Sequence, residues 1–495
     1  MSRALTDGIL ASRRRLVAGV GAPPRGKAAE EGGCGVVGFA ATEPLGGRIL
    51  VEPARRMHNR GNGKGGGIAA AGLVPKQLGV DADTLRDAYL LQLALLDPEV
   101  EAELEREAVA PQLEILHKTR VTPARDHREL GLEVRPPDVI RYVVRVKDDA
   151  CRRFAEEHDL AAAPPRAVED EIVFQNSFRL NRRFYAAQGE KRAFVLSHSR
   201  DLLIFKVVGY AEQVVQYYGL DDFAARIWIA HQRYPTRGRV WHPAGCHPFV
   251  GMNEALVHNG DFANYHSVMQ YLRQHHVVPQ FLTDTEVAVL LYDLWSRVYG
   301  YPLEAVIEAF APTTELDFDR LPVERQRIYR ALSALHIHGS PDGPWFFIVA
   351  GSDPDRAAYR LLGITDTAML RPQVFALQHG EVSIGIVASE KQAIDNTLAV
   401  LAAQDSRFRT VADRYWNARG GSYTDGGAFA FELQRSGEGA GAGYALRCTD
   451  KFGRPVEVPG GALPEDDRAT APGNGAGGRL RSALAQGVDA TFEAV

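Results

Sequence analysis

With 495 residues, 45% of them hydrophobic and 24% charged, the chain can bury sizeable cores and, at ~100–200 residues per domain, has length for two or three domains. Its 57 Lys+Arg against 62 Asp+Glu leave a formal charge of −5, with no cationic surplus to neutralise a phosphate backbone, so nucleic acid is not an expected partner. The four cysteines, Cys34, Cys151, Cys246 and Cys448, form no CxxC pair, which argues against a disulfide framework, a structural zinc site or an iron–sulfur cluster and points to a reduced, cytoplasmic setting.

Taken in chain order, residues 1–33 read as a polar leader. Ser12-Arg13-Arg14-Arg15 looks superficially like a twin-arginine export signal, but two of the seven residues from Leu16 to Ala22 are glycines and Pro23-Pro24 follows at once. No run approaches the ~18–20 apolar residues that span a bilayer, and no membrane association is expected. Cys34 to Ala40 is a short apolar run that reads as a buried strand. The glycine-dense loop from Arg55 to Ala69 lets the backbone approach a ligand, yet it matches neither the Walker spacing nor GxGxxG followed by a helix.

From about 75 to 220 the pattern alternates between helix and strand and reads as an inserted small α+β subdomain. Asp97-Pro98-Glu99 marks a helix start, with a side-chain acceptor at the cap and proline in the first turn. Ile140, Tyr142, Val144 and Val146 alternate as a strand does, a helix-like stretch runs between Lys147 and Leu160, and Leu202 to Val208 reads as a further strand. Between Phe223 and Val298, apolar runs end repeatedly in polar residues. Ile227 to Ala230 leads into His231-Gln232-Arg233-Tyr234-Pro235-Thr236, and Ala255-Leu256-Val257 into His258-Asn259-Gly260. Thr283-Asp284-Thr285-Glu286 caps a helix that carries Val287, Leu290, Leu291 and Leu294. Trp345 to Gly351 and Val382 to Val387 read as strands, the second followed by Ser389-Glu390, while residues 436–495 form a glycine-rich extension expected to be largely flexible.

Five of these segments, in order, carry a resemblance: Cys34-Gly35-Val36-Val37-Gly38-Phe39, Asn59-Arg60-Gly61, His231-Gln232-Arg233-Tyr234-Pro235-Thr236, His258-Asn259-Gly260 and Thr283-Asp284-Thr285-Glu286. Together they resemble a class II glutamine amidotransferase domain of the N-terminal-nucleophile hydrolase superfamily, across roughly residues 34–400. The run from Phe205 through Gly209-Tyr210 to His231, and Asp366 through Arg371-Pro372 with Ser389-Glu390, are similar to the amidotransferase part of archaeal-type glutamate synthase and related systems. The resemblance implies an α+β fold, the four-layer αββα sandwich, with the amidotransferase domain at 34–74 and 221–435, the insertion at 75–220 and the leader at 1–33.

It also implies roles. Removal of the leader would make Cys34 the first residue, with its own α-amine, of ordinary pKa ~7.7–8.0, as the base that activates a thiol which otherwise is a few per cent thiolate at pH 7. Asn259 and the backbone N–H of Gly260 would form an oxyanion hole, Arg233 would hold the glutamine carboxylate, Asp284 its ammonium, and Thr236 would add a hydrogen bond, with Arg60 and Gly61 in a loop that closes over L-glutamine. Each residue has a structural alternative: Cys34 as a small buried hydrophobe, Arg233 as a surface ion pair, Asp284 as a helix cap, and Asn259-Gly260 as a type I′ turn. His231, His242, Cys246 and His247 match no standard zinc spacing, and His258 reads as a packing residue.

The chain has no SGGxDS motif and no acidic run after an apolar strand, so the acceptor chemistry is expected on another subunit. By resemblance that partner is glutamate-synthase-like and carries FMN and iron–sulfur clusters, with no cofactor and no metal in this chain. Two alternatives stand beside this: a γ-glutamyl-transferring subunit of an N-methylglutamate-synthase-like complex, and a non-catalytic glutamine-binding regulatory subunit. Asn59 replaces the histidine that many relatives carry before the Arg-Gly pair, and Arg237-Gly238-Arg239 replaces a more neutral turn.

Overall fold

Strand β1 (Gly35–Gly46) explains much of the architecture, because its first seven residues are buried on both faces, as only a central strand can be. In the computed structural model, which describes residues 33–233, 242–436 and 443–458, β1 pairs antiparallel with β8 (Ala224–Gln232) on one side and β14 (Ile384–Ala388) on the other. β2 (Gly66–Leu73) and β7 (Leu202–Val207) extend the sheet beyond β8, and β13 (Val374–Gln378) and β15 (Arg414–Trp416) extend it beyond β14. A second antiparallel sheet, in spatial order, holds β17 (Gly443–Asp450), β16 (Ala428–Ser436), β12 (Ala358–Thr365), β11 (Trp345–Asp353), β10 (Glu254–Gly260) and β9 (Phe249–Val250). A third sheet of β4 (Leu113–Val121), β5 (Asp138–Val146), β3 (Tyr89–Leu95) and β6 (Ala193–Ser197) completes the α+β arrangement among the described residues.

Glycines stand where facing side chains leave no room. A Cβ on Gly38 of β1 would meet Leu361, Ile348 and Ile229 at 2.9–3.1 Å, and one on Gly363 would lie 2.6 Å from the ring of Phe375. The first two sheets therefore interdigitate across aromatic and branched residues drawn from both. The outer side of the first sheet is covered by helices α1 (Val51–Arg56), α4 (Ala211–Tyr218) and α9 (Lys391–Gln404), whose Ala54, Val214 and Leu398 join Phe39, Ile68 and Ile386 in one core. Helices α6 (Asp284–Asp293) and α7 (Leu303–Phe310) bury Val287, Leu291 and Phe310 against Leu256, Phe347 and Leu362 of the second sheet. The third sheet packs with α2 (Asp148–Glu157) and α3 (Pro165–Phe184) around Tyr142, Ile172 and Leu180.

Two sequence boundaries move. Leu202–Val207 lies within the span expected to be an insertion, yet its register with β2 runs Ile68↔Phe205, so the third sheet accounts only for residues up to Ser197 and β7 belongs to the first sheet. An apolar strand shows its face pattern in sequence but not its hydrogen-bonding neighbour. The glycine-rich extension is likewise not wholly without structure, since Gly443–Asp450 pairs with β16 from Ser436↔Gly443 to Phe429↔Asp450. Tyr444, Leu446 and Cys448 alternate with small or polar residues, the period-2 signal of an edge strand, and that signal was legible. The leader before residue 33 and the extension beyond 458 lie outside the described residues. None of the described helices is long and apolar enough to cross a membrane.

The predicted caps form. Asp97 accepts the backbone N–H of Glu99 at 3.0 Å, and Thr283 Oγ1 accepts that of Glu286 at 3.1 Å.

Candidate functional site

The start of β1, the ends of β8 and β14 and the end of β10 converge. Gly35 and Val36 are in register with Gln232 and His231 at the end of β8, and the Ser389 N–H that follows β14 donates to the Val36 carbonyl at 2.9 Å. Cys34 immediately precedes this strand, is 7% exposed and takes no part in a disulfide. From the facing sheet comes Asn259. A Cβ on Gly33 would stand 2.9 Å from Asn259 Oδ1, 3.1 Å from Arg371 Nη1 and 3.7 Å from Arg60 Nη1, so the peptide entering Cys34 is surrounded by these three side chains.

Asn259 is fully buried, and neither its Oδ1 nor its Nδ2 has a hydrogen-bond partner among the described residues. An unsatisfied buried amide costs about 1–3 kcal/mol and calls for a functional explanation. Asn259-Gly260 is not a hairpin turn: both residues lie within β10, Asn259 opposite Phe346 and Gly260 opposite Trp345. Gly260 has φ +136°, and a Cβ there would fall 1.9 Å from the Pro344 carbonyl oxygen, so glycine is required by conformation and by contact alike.

Asp284 occupies the first turn of α6 while Thr283 supplies the cap, which removes the simple capping explanation for the aspartate. Its Oδ1 lies 3.5 Å from His258 Nδ1 and accepts from Thr285 Oγ1 at 3.4 Å. Burial pushes the Asp284 carboxyl up, but the neighbouring His258 and the Thr285 hydrogen bonds outweigh it and hold the group below its ordinary value, as a carboxylate. His258 rests against Phe262 and Phe347, and His231 stacks on His247 with ring centroids 3.9 Å apart. Burial pushes both His231 and His247 well below the ordinary histidine value, which leaves them neutral.

Arg233 is anchored through its backbone: its N–H donates to the Gly65 carbonyl at 2.8 Å and its carbonyl accepts from Asn62 N–H at 3.2 Å. Its guanidinium reaches the Gly245 carbonyl at 3.4 Å. Thr236, expected beside it, lies outside the described residues. In the glycine-rich loop, a Cβ on Gly61 would come within 3.2 Å of Gln232 and 3.3 Å of the Tyr210 ring, so Gly61 is a close-packing position.

Arg60 is buried and ion-paired with Glu390, which also accepts from Asn59 Nδ2 at 3.2 Å. The Ser389-Glu390 pair is part of the resemblance, which implies no role for either residue; in the sequence, Glu390 shows only as an acid directly after a buried strand. Glu390 fixes Arg60 where its guanidinium reaches the Gly33–Cys34 junction. Glu390→Gln keeps the shape and removes the charge that faces the Arg60 guanidinium; urea denaturation is expected to show a loss of about 3 kcal/mol. A loss below about 0.5 kcal/mol would mean the pair is screened like a surface one.

The Gly33–Cys34 junction thus brings a thiol together with the unsatisfied buried amide of Asn259 and the guanidinium groups of Arg60 and Arg371, with Arg233 at the end of the paired strand β8. No family model matches the chain. It is 28% identical over 365 residues to an uncharacterized protein of Archaeoglobus fulgidus, covering 73% of this chain and 86% of that one. It is 30% identical over 138 residues to a glutamine–fructose-6-phosphate aminotransferase (isomerizing) of Pyrobaculum aerophilum, covering 28% of this chain and 22% of that one. With the enzyme of the same name from Aeropyrum pernix the identity is 29% over 253 residues, or 49% and 35% of the two chains. The chain therefore spans between a fifth and about a third of the length of these named relatives. Among solved structures, a glutamine phosphoribosylpyrophosphate amidotransferase from B. subtilis aligns with 14% identity and a TM-score of 0.26, covering 78% of this chain and 49% of that one.

Proposed function

We propose that the chain is a glutamine amidotransferase of the N-terminal-nucleophile type, built on a four-layer αββα sandwich, that hydrolyses L-glutamine to glutamate and ammonia. The observation that carries this reading is the buried, unsatisfied amide of Asn259 beside the Gly33–Cys34 junction, with Gly260 held at a backbone conformation that only glycine takes comfortably.

In this reading the Cys34 thiolate attacks the side-chain amide carbon of glutamine, and the developing oxyanion takes hydrogen bonds from Asn259 Nδ2 and the Gly260 N–H. Collapse of the tetrahedral adduct releases ammonia and leaves a γ-glutamyl thioester, which water hydrolyses to glutamate. The α-amine of Cys34, exposed by removal of residues 1–33, takes the thiol proton and returns it to the leaving nitrogen. Arg233 holds the substrate carboxylate and Asp284 its ammonium, Thr236 contributes a hydrogen bond, and Arg60 with Gly61 closes the site.

Asn259→Ala tests the oxyanion role. It is expected to lower kcat for glutamate release by ~10²–10³-fold with little change in KM, because the lost donor acts on charge that develops only in the transition state. A rise in KM at unchanged kcat would instead assign Asn259 to ground-state binding.

The acceptor of the ammonia is proposed to be a glutamate-synthase-like subunit in the cytoplasm that carries FMN and iron–sulfur clusters. Activity of the purified complex with keto-acid and with amine acceptors separates this from γ-glutamyl transfer of the N-methylglutamate-synthase kind. The position of Gly33 favours one further reading. While Gly33 remains joined to Cys34, the base is an amide nitrogen without basicity and the chain is a glutamine-binding regulatory subunit; the intact mass of the protein from its native host decides between the two.

A further inference from the structure

Away from Cys34, a cavity of about 550 Å³ lies between α3 of the inserted segment and the elements that carry β7, β9 and α6. Its wall is largely apolar, with Phe174, Phe178, Phe249, Phe281 and Leu290 among the lining residues, and its volume suits a small organic ligand. Lys206 of β7 also lines it and is 2% exposed.

The setting of this lysine is unusual. Its Nζ stands 3.9 Å from the centroid of the Phe249 ring and 5.9 Å from that of Phe281, and has no hydrogen-bond or ion-pair partner among the described residues. Among the described residues, Lys451 is also deeply buried and is by contrast ion-paired with Glu308. A buried ammonium that no carboxylate hydrogen-bonds costs several kcal/mol, so the uncharged amine is favoured. Burial accordingly pulls Lys206 down to about 7, against the opposing influence of Cys246 and Glu286. His231, His247 and Cys246 are its other titratable neighbours; both histidines are held neutral, and burial pushes the Cys246 thiol up to about 11. Glu286 lines the same cavity; its carboxyl accepts N–H bonds from Gln280 at 2.5 Å, Phe281 at 2.7 Å and Leu282 at 3.1 Å, and burial pushes it up to about 7 against the opposing influence of those bonds.

We propose that this cavity is a binding site for a small apolar aldehyde or ketone, held as an imine on Lys206. The Nζ lone pair forms a bond to the carbonyl carbon, and one Nζ proton passes to the carbonyl oxygen to give a carbinolamine. The Glu286 carboxyl then protonates that hydroxyl, which leaves as water while the nitrogen lone pair closes the C=N bond, and the carboxylate takes back the remaining Nζ proton. One water is released, no electrons are gained or lost, and hydrolysis reverses the step. A desolvated lysine in an apolar pocket is the amine best suited to this chemistry. Nothing in this reading depends on glutamine hydrolysis at Cys34.

The test is reductive trapping of the full chain with benzaldehyde and cyanoborohydride at pH 7, followed by peptide mapping. Lys206 is expected to be labelled at least ~10-fold faster than any exposed lysine, because an exposed amine of pKa ~10.4 is almost wholly protonated at that pH. Labelling is expected to saturate with benzaldehyde, and Lys206→Met is expected to abolish the fast phase. Glu286→Gln is expected to slow that phase while leaving the slow labelling of exposed lysines unchanged. Uniform labelling of exposed lysines with Lys206 unmodified in the folded wild-type protein overturns the proposal, as does benzaldehyde binding that raises Tm without a reducible adduct on Lys206. Both overturning results come from the wild-type chain, so they stand even if a variant fails to fold.

Discussion

Cys34→Ala is expected to reduce glutamate release from glutamine by at least ~10³-fold while leaving the urea midpoint nearly unchanged. In the proposed mechanism only the thiol forms the γ-glutamyl thioester, and without it the donors at Asn259 and Gly260 would face an oxyanion that no longer forms by attack from the protein. The stability half of the prediction follows from size: the sulfur is a single heavy atom at the start of β1, next to the already small Gly33 and Gly35, so its loss opens little space. Cys34→Ser would keep the shape with a poorer nucleophile and is expected to fall between the two. The measurement is single-turnover glutaminase kinetics on processed protein, with hydroxylamine used to capture the thioester as a γ-glutamyl hydroxamate in the parent and not in the variant. Full activity in Cys34→Ala would remove the nucleophile assignment altogether.

Gly260→Ala is expected to be the most damaging single methyl group in the site. Two independent penalties coincide there: a φ of +136°, which L residues rarely adopt, and a Cβ position 1.9 Å from the carbonyl oxygen of Pro344. Relief of the overlap requires β10 and β11 to part at the Gly260↔Trp345 pair, which would carry Asn259 away from the Gly33–Cys34 junction. A loss of about 4 kcal/mol in urea denaturation is expected, together with the collapse of glutaminase activity. Gly300→Ala is the control, because Gly300 also has positive φ, +64°, but a Cβ there meets nothing within 4 Å. It should cost about 1 kcal/mol and leave activity intact. Equal costs at the two positions would show that backbone conformation alone, and not the contact with Pro344, makes glycine necessary at 260.

These expectations separate what local pattern can specify from what it cannot. The apolar run after Cys34 specified a buried strand, and Thr283 and Asp97 each specified a helix start, because strand periodicity and capping depend on residues a few positions apart. Tyr444, Leu446 and Cys448 belong with these, since their alternation was there to be read within a stretch whose glycines suggested flexibility. The Asn259-Gly260 pair, taken by itself, suggested a type I′ turn.

The tertiary structure replaced that turn with a place inside β10, and the close approach that demands glycine at 260 comes from Pro344, on the segment leading into a different strand. It also decided that Leu202–Val207 joins β2, that Glu390 holds Arg60, and that the Asn259 amide is buried without a partner beside Gly33. By itself the sequence determined where the strands and helix starts fall and which polar residues end them. Which of those ends meet was settled by strand pairing and sheet packing between residues hundreds of positions apart, contacts that leave no trace in the local order of side chains.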